Sequence, residues 1–167
     1  MATSLPSTAR GRKRLLKVAD LLDNDAKNKK SVRFDLDVIV AHSRLYLQDG
    51  TDKWLTIDKP ELNCGTTACA IGLVCISGLF KDFSFIINHY NSIQPVYKEY
   101  QGFYNATQVF FDINENEVEY LFTPLTYNKS EKKGARGERA VAKRIRQFVA
   151  GKLEKQMQKW YAWTGNK

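Results

Sequence analysis

The sequence is short of cysteine, histidine and long apolar runs. Its 167 residues include only 3 cysteines and 2 histidines. An odd cysteine count, without a positively charged and then apolar N-terminal segment, predicts reduced thiols in a cytoplasmic protein, not a secreted one. No stretch approaches the roughly 18 consecutive apolar residues of a membrane-spanning helix, so we expect no membrane partner.

Apolar side chains are plentiful, and charge is distributed unevenly. Hydrophobic residues make up 43% of the chain and aromatic residues 12%, enough for the core of one domain. Residues 1–30 carry 8 Lys/Arg and 3 Asp/Glu, residues 31–127 carry 6 and 12, and residues 128–167 carry 12 and 3. These basic ends indicate contact with a polyanion, folding onto the acidic middle, or a solvated basic face.

The spacing of apolar residues predicts a mainly α fold with minor β structure. We expect a flexible tail over residues 1–10 and a single compact helical domain over residues 11–167. The predicted helices are a first amphipathic helix around residues 15–22, a helix over 34–42, a buried helix over 68–76 and a helix over 103–111. Gly78 is expected to cap the buried helix. A short apolar segment at 83–87 and a loop over 94–102 lie between the last two helices.

Two further helices carry clear signals. Asn114 precedes Glu117 by three residues, the spacing of a capping box, and Pro124 stops the helix that follows. After a hydrophilic linker, one apolar stripe predicts a long basic C-terminal helix that must dock on the body. The stripe consists of Ala140, Val141, Ile145, Phe148, Val149, Leu153, Met157 and Trp160.

The segment Asn-Cys-Gly-Thr-Thr-Ala-Cys at residues 63–69 is the most informative motif. A cysteine at a helix start has a lowered thiol pKa, so Cys64 could act as a nucleophile with His89 or His42 as base. The alternative is a structural turn that feeds a packed helix, formed by Cys64, Gly65, Thr66, Thr67 and Cys69. The turn could also cradle an anion, but capping of the helix by Thr66 or Thr67 is the better interpretation.

Metal binding has little support in the sequence. Cys64 and Cys69 have a permissible ligand spacing, but Cys75 lies further along the helix and no second Cys/His pair is present. We therefore predict neither a metal nor another cofactor.

Three segments together resemble a group of small proteins common in phages and bacteria. That group has a Cys-Gly-Thr-x-x-Cys element, matched here by residues 63–72, and a later helix that ends in two apolar residues, matched by Ala106 with Phe110 and Phe111. Its Leu-Phe-x-Pro element is matched by residues 119–124. The resemblance covers about residues 34–150, without the basic extensions, and implies an architecture and a mobile-element origin but no activity.

The basic C-terminal region supplies the remaining candidate site. Cations opposite the apolar stripe, with nearby aromatic rings, have the composition of a nucleotide or nucleic-acid contact. The candidate anion-binding residues are Lys143, Arg144, Arg146, Lys152, Lys155, Trp160 and Trp163. A solvated face on a core helix, with the aromatic rings packed on the body, explains the same pattern.

We interpret the chain as a non-catalytic, phage-type binding protein in the host cytoplasm. Its expected partner is a nucleic acid, a nucleotide signal or an acidic face of a host protein, and one such role would be to counter a host defence. The alternatives are a Cys64-dependent hydrolase or acyl transferase, and a virion or assembly component. Assembly as a homo-oligomer stays open.

Overall fold

The computed structural model describes residues 8–28, 32–38, 40–42, 66–87 and 93–164. Its helices are α1 (Ala9–Lys27), α2 (Ala70–Ser77), α3 (Phe103–Phe111), α4 (Glu115–Phe122), α5 (Gly134–Val149) and α6 (Glu154–Thr164), with short 3-10 turns at Pro124–Thr126 and Lys129–Glu131. Its strands are β1 (Arg33–Phe34), β2 (Val40–His42), β3 (Thr66–Ala68), β4 (Phe83–Ile87), β5 (Ile93–Tyr97) and β6 (Tyr100–Gln101). The fold is mainly α with little sheet, as the sequence predicted.

Helices α1 and α5 pack side by side and run antiparallel. Arg139 of α5 contacts the backbone of Ala26 near the end of α1, and Arg146 contacts Asp20 one to two turns earlier. Each helix turns an apolar stripe inward; the fully buried residues are Leu15, Val18, Ala19 and Leu22 in α1, and Val141, Ala142, Ile145 and Phe148 in α5. Burial of these stripes holds the two ends of the chain together.

An aromatic cluster fills the core between α3 and the second sheet. The ring of Phe110 lies 4.4 Å from that of Phe83, 4.8 Å from that of Phe111 and 5.0 Å from that of Tyr97. Phe110 and Phe111 are both fully buried. These rings join α3 to β4 and β5, which places the small sheet against the helices.

The first sheet has the order β1–β3–β2 and corrects one prediction. Strand β1 pairs parallel with β3, and β2 pairs antiparallel with it. The helix predicted over residues 34–42 is therefore wrong, because Phe34 ends β1, a turn follows at Leu36 and Asp37, and residues 40–42 form β2, which like β1 pairs with the distant strand β3. Asp35 accepts a hydrogen bond from the Asp37 amide and forms an ion pair with Lys133 at 2.8 Å.

The second sheet is an antiparallel meander, β4–β5–β6, and corrects another prediction. The loop expected over residues 94–102 contains strands β5 and β6. Pro95 led to that error, since proline cannot donate a ladder hydrogen bond. The strand accepts it because the Pro95 carbonyl is used instead, receiving a hydrogen bond from the Gly102 amide at 3.0 Å.

Local signals located α2, α3 and α4 well. Helix α2 ends at Ser77, and Gly78 adopts the left-handed conformation with φ of 66°. Helix α3 spans the predicted residues, and Asn114 forms the predicted capping box with Glu117 at the start of α4. The α4 helix ends at Phe122, two residues before Pro124, as proline requires.

The long C-terminal helix is interrupted. Helix α5 ends at Val149, Gly151 takes a φ of 69°, and α6 begins at Glu154. A left-handed glycine stops the first helix and changes the direction of the chain. The apolar stripe nevertheless continues into the core, since Leu153 and Met157 are buried.

Two further predictions concern membrane-spanning helices and the N-terminal tail. None of the described helices is long and apolar enough to cross a membrane. The predicted tail lies mostly outside the described residues; α1 begins at Ala9 with Thr8 as its N-cap.

Candidate functional site

The predicted helix-start turn is a strand where the structure describes it. Thr66 and Thr67 belong to β3, the central strand of the first sheet, and α2 begins only at Ala70. Capping of the helix by Thr66 or Thr67 is therefore wrong. The N-cap residue is Cys69, and its side chain makes no capping hydrogen bond. Cys64 and Gly65 lie outside the described residues, with all of β3 between them and the helix.

The two described cysteines are buried thiols. Cys69 is 1% exposed and Cys75 is 4% exposed. Burial raises the pKa of Cys69 to about 11, although amide N–H groups at the start of α2 oppose the shift. The pKa of Cys75 is raised well above its ordinary value, also chiefly by burial. Desolvation thus outweighs the helix dipole, and neither side chain is an activated nucleophile at neutral pH.

This burial predicts a labelling pattern. In a Cys64→Ser variant, Cys69 and Cys75 should resist a thiol-directed disulfide reagent at pH 8 and react fully in denaturant. The reason is that burial in the folded protein keeps the reagent away from both sulfur atoms and disfavours the reactive thiolate form. The absorbance of the thiol released from the reagent measures the reaction before and after denaturation. Rapid reaction of either cysteine before denaturation would contradict the burial of that side chain.

The proposed catalytic partners cannot be brought together from this structure. His89 lies outside the described residues, as does Cys64, and His42 is placed only as the last residue of β2. The Cys64-dependent hydrolase or acyl transferase therefore stays a prediction. Among the described residues, no group of three or more His, Cys, Asp or Glu side chains is placed to hold a metal ion.

Arg144, one of the candidate anion-binding residues, braces the turn after α4. Its guanidinium donates to the carbonyls of Tyr120 at 3.0 Å and Thr126 at 2.8 Å, and to the Thr126 hydroxyl. The same group lies 3.5 Å from the centre of the Tyr127 ring. These contacts satisfy most of its donors within the chain, so its first role is structural.

Arg146, another candidate, joins α5 to α1. It forms ion pairs with Asp23 at 2.7 Å and with Asp20 at 2.9 Å. The sequence raised the option that the basic ends fold back onto acidic residues, and this bridge is such a contact. Its acidic partners belong to α1, not to the acidic middle of the chain.

Among the exposed cations of the described residues, nine form three sets with the same spacing. Each set occupies positions i, i+3 and i+7, which share one face where all three residues belong to a helix, as they do on α1 and α5. The sets are Arg10, Lys13 and Lys17 on α1, Arg136, Arg139 and Lys143 on α5, and Lys152, Lys155 and Lys159 leading into and along α6. None of the nine has an acidic side chain within 4.0 Å among the residues that the structure describes.

Sequence reasoning included Lys143, Lys152 and Lys155 in the candidate site but missed the set on α1. The signal that could have found it is the repeated spacing, together with apolar positions Leu15, Val18 and Leu22 that assign the opposite face to the core. We name the exposed cations of α1 and α5 the α1–α5 cationic face; its members are Arg10, Lys13, Lys17, Arg136, Arg139 and Lys143.

The aromatic rings of the candidate site are packed on α4. The Trp160 ring lies 6.3 Å from the Tyr120 ring and is half-buried. Tyr161 is half-buried as well, and burial together with the nearby Glu117 raises its pKa to about 12. Packing thus covers part of the Trp160 ring, one of the two surfaces proposed for base stacking. The Trp163 side chain lies outside the described residues.

Glu117 is a buried carboxyl group beneath α6. It is 2% exposed, and its Oε2 accepts a 2.8 Å hydrogen bond from the Asn114 amide. Its Oε1 has no hydrogen-bond partner in the described part of the chain. Burial raises its pKa from 4.5 to about 7, against the opposing effect of the Asn114 hydrogen bond.

This pKa predicts how stability depends on pH. The folded state holds the Glu117 proton more tightly than the unfolded state, so protonation of Glu117 stabilises the fold. This stabilisation is complete below pH 4.5 and falls as pH rises to about 7. Relative to Glu117→Gln, the wild type should lose about 3 kcal/mol of unfolding free energy over that interval, at 1.36 kcal/mol per pKa unit. Denaturant titrations from pH 4 to 8 measure the difference.

The control for this prediction is Glu115→Gln, which changes an exposed residue in the first turn of the same helix. It should leave the pH dependence of the wild type nearly unchanged. Parallel stability curves for wild type and Glu117→Gln would show that Glu117 does not titrate in this interval.

A cleft of about 500 Å³ lies where the end of α1, the start of α5 and strands β1 and β3 meet. Buried Asp25 and Glu138 line it together with the Asp35–Lys133 pair and Arg33. Its volume is within the range of small-molecule sites. Charges of both signs suit a polar ligand better than an apolar one, but nothing in its lining singles out a particular ligand.

The chain matches no family model, no curated protein and no solved structure. The resemblance to small phage and bacterial proteins therefore stays a prediction that rests on the short motifs in residues 63–72, 106–111 and 119–124.

Proposed function

We propose that this chain is a non-catalytic binding protein that engages an anionic partner through its exposed helical cations. The partner class comprises nucleic acid, a nucleotide signal and an acidic face of a host protein. A phage origin, a cytoplasmic location and a role in countering host defence extend the proposal and depend on the motif resemblance and the reduced thiols.

One observation carries the proposal. Nine exposed cations lie in three regular sets, without acidic partners among the described residues. Of the nine, Arg139 donates one hydrogen bond within the chain, to the Ala26 carbonyl at 3.3 Å. Arg144 and Arg146 are committed more fully, through three hydrogen bonds and two ion pairs respectively. A face that only solubilises the protein needs no such segregation, since surfaces usually intersperse charges of both signs. Unpaired cations on rigid helices attract a polyanion and release its counterions on binding.

The test is salt-dependent binding by matched charge variants. One variant changes Arg136, Arg139 and Lys143 to Gln, and its control changes three exposed lysines that belong to none of α1, α5 and α6: Lys81, Lys98 and Lys129. Both variants have the same net charge. We expect heparin and DNA columns to elute the α5 variant at clearly lower salt than the wild type, and the control close to the wild type.

The melting temperatures of both variants should stay close to that of the wild type, because all six side chains are exposed. Equal elution of the two variants would mean that only net charge matters. Failure of the wild type to bind heparin, DNA or RNA at low salt would overturn the proposal.

A further inference from the structure

We propose that the partner of the α1–α5 cationic face is double-stranded DNA, held by its phosphates on both sides of a groove. This inference rests on the proposed function and specifies its ligand.

The two sets of cations are separated along the axis of the helix pair. Arg139 lies opposite Ala26, and α1 rises about 1.5 Å per residue, so Lys13 is about 13 residues or about 20 Å further along the helix pair. The two sets therefore lie at opposite ends of the pair. A separation of about 20 Å spans a major groove about 12 Å wide together with the backbones that border it.

Acidic side chains lie between the two sets of cations. Asp20 and Asp23 lie midway along the pair, and Arg146 binds both. The centre of the face is therefore nearly neutral, while its ends are positive. This pattern suits two rows of phosphate separated by a groove better than one continuous strand of phosphate running along the helices.

The aromatic rings of Trp160 and Tyr161 in α6 are partly buried. Proteins that bind single strands without sequence preference stack bases on exposed aromatic side chains. Trp160 packs against Tyr120, and Tyr161 lies near Glu117, so neither presents a free stacking platform. Members of the α1–α5 cationic face are all Lys or Arg, side chains that can bind the phosphates of a duplex without any base being unstacked.

The experiment measures fluorescence anisotropy of a labelled 20-base-pair DNA duplex, its single strand and the RNA duplex of the same sequence. The proteins are the wild type, an α1 variant (Arg10, Lys13 and Lys17 to Gln), the α5 variant and the Lys81, Lys98 and Lys129 control. We expect the wild type to bind duplex DNA at least tenfold more tightly than the single strand at 100 mM salt.

The salt dependence tests whether both sets act together. Six phosphate contacts give a slope of log affinity against log salt of about −5, and each triple variant should reduce its magnitude by about 3. The control should keep the wild-type slope. A change in slope with only one of the two triples would overturn binding across a groove.

Other outcomes separate this inference from the proposed function. Equal or tighter binding of the single strand would overturn the choice of duplex, and tighter binding of the RNA duplex would overturn the choice of DNA. In either case, binding that still weakens in the α5 variant leaves the proposed function standing. If the wild type binds none of these probes and no heparin, both proposals fail.

Discussion

Phe110→Ala is expected to lower the free energy of unfolding by about 3–5 kcal/mol, the range for removing a large aromatic side chain from a core. Phe110 is fully buried, and its ring contacts the rings of Phe80, Phe83, Phe111 and Tyr97. These neighbours come from several parts of the chain, so they cannot all move to fill the cavity. Urea denaturation at neutral pH measures the loss.

The matched control is Val109→Ala at the preceding position of α3. Val109 is 38% exposed, so its truncation should cost less than about 1 kcal/mol. Similar losses for the two variants would contradict the placement of α3 with Phe110 inward. The pair therefore tests the orientation of the helix as well as the burial of one ring.

Gly11→Ala should destabilise the protein by about 2–3 kcal/mol, the scale of an overpacked contact. Helix propensity alone predicts the opposite sign, because alanine is favoured over glycine within a helix by about 1 kcal/mol. A Cβ atom at Gly11 would overlap the carbonyl oxygen of Phe111 and lie 3.0 Å from the Cβ of Asp112. Since the obstacle is backbone, α1 and α3 would have to separate.

Arg14 lies at the same contact between α1 and α3, so the Gly11→Ala change should also weaken its interactions. Arg14 donates to the Phe110 carbonyl at 2.8 Å and lies 3.9 Å from the centre of the Phe110 ring. Separation of α1 from α3 would weaken both interactions. Asn24→Ala, at an exposed position of α1, is the control and should be neutral or slightly stabilising. Stabilisation by Gly11→Ala would contradict the close approach of the two helices.

The sequence predicted elements whose signals are local. The capping box at Asn114 and Glu117 and the left-handed Gly78 each fix a helix end by contacts within a few residues. Prediction from the sequence failed for strands that pair with residues far away in the chain. Strand β1 forms because it pairs with β3, more than thirty residues further along the chain. The residues around Phe34 carry no signal that identifies this pairing partner.

The candidate site could be predicted only in part for a related reason. Lys143, Arg144 and Arg146 are close together in one helix and look equivalent in the sequence. Their roles diverge because Arg144 reaches the turn at Thr126 and Arg146 reaches Asp20 and Asp23, whereas Lys143 stays exposed. Only the packing of α5 between α1 and α4 separates the structural cations from those available to a partner.

Amide NMR titration of isotope-labelled protein with the 20-base-pair DNA duplex tests the central claim most directly, since it locates the contact residue by residue. The account predicts that shifts concentrate at the two ends of the α1–α5 cationic face, in residues 10–17 and 136–143. The β4–β6 meander, and strands β1 and β3 on the far side of the cleft, should change little. Shifts centred on the meander or on β1 and β3, with both ends of the cationic face unaffected, would contradict the account.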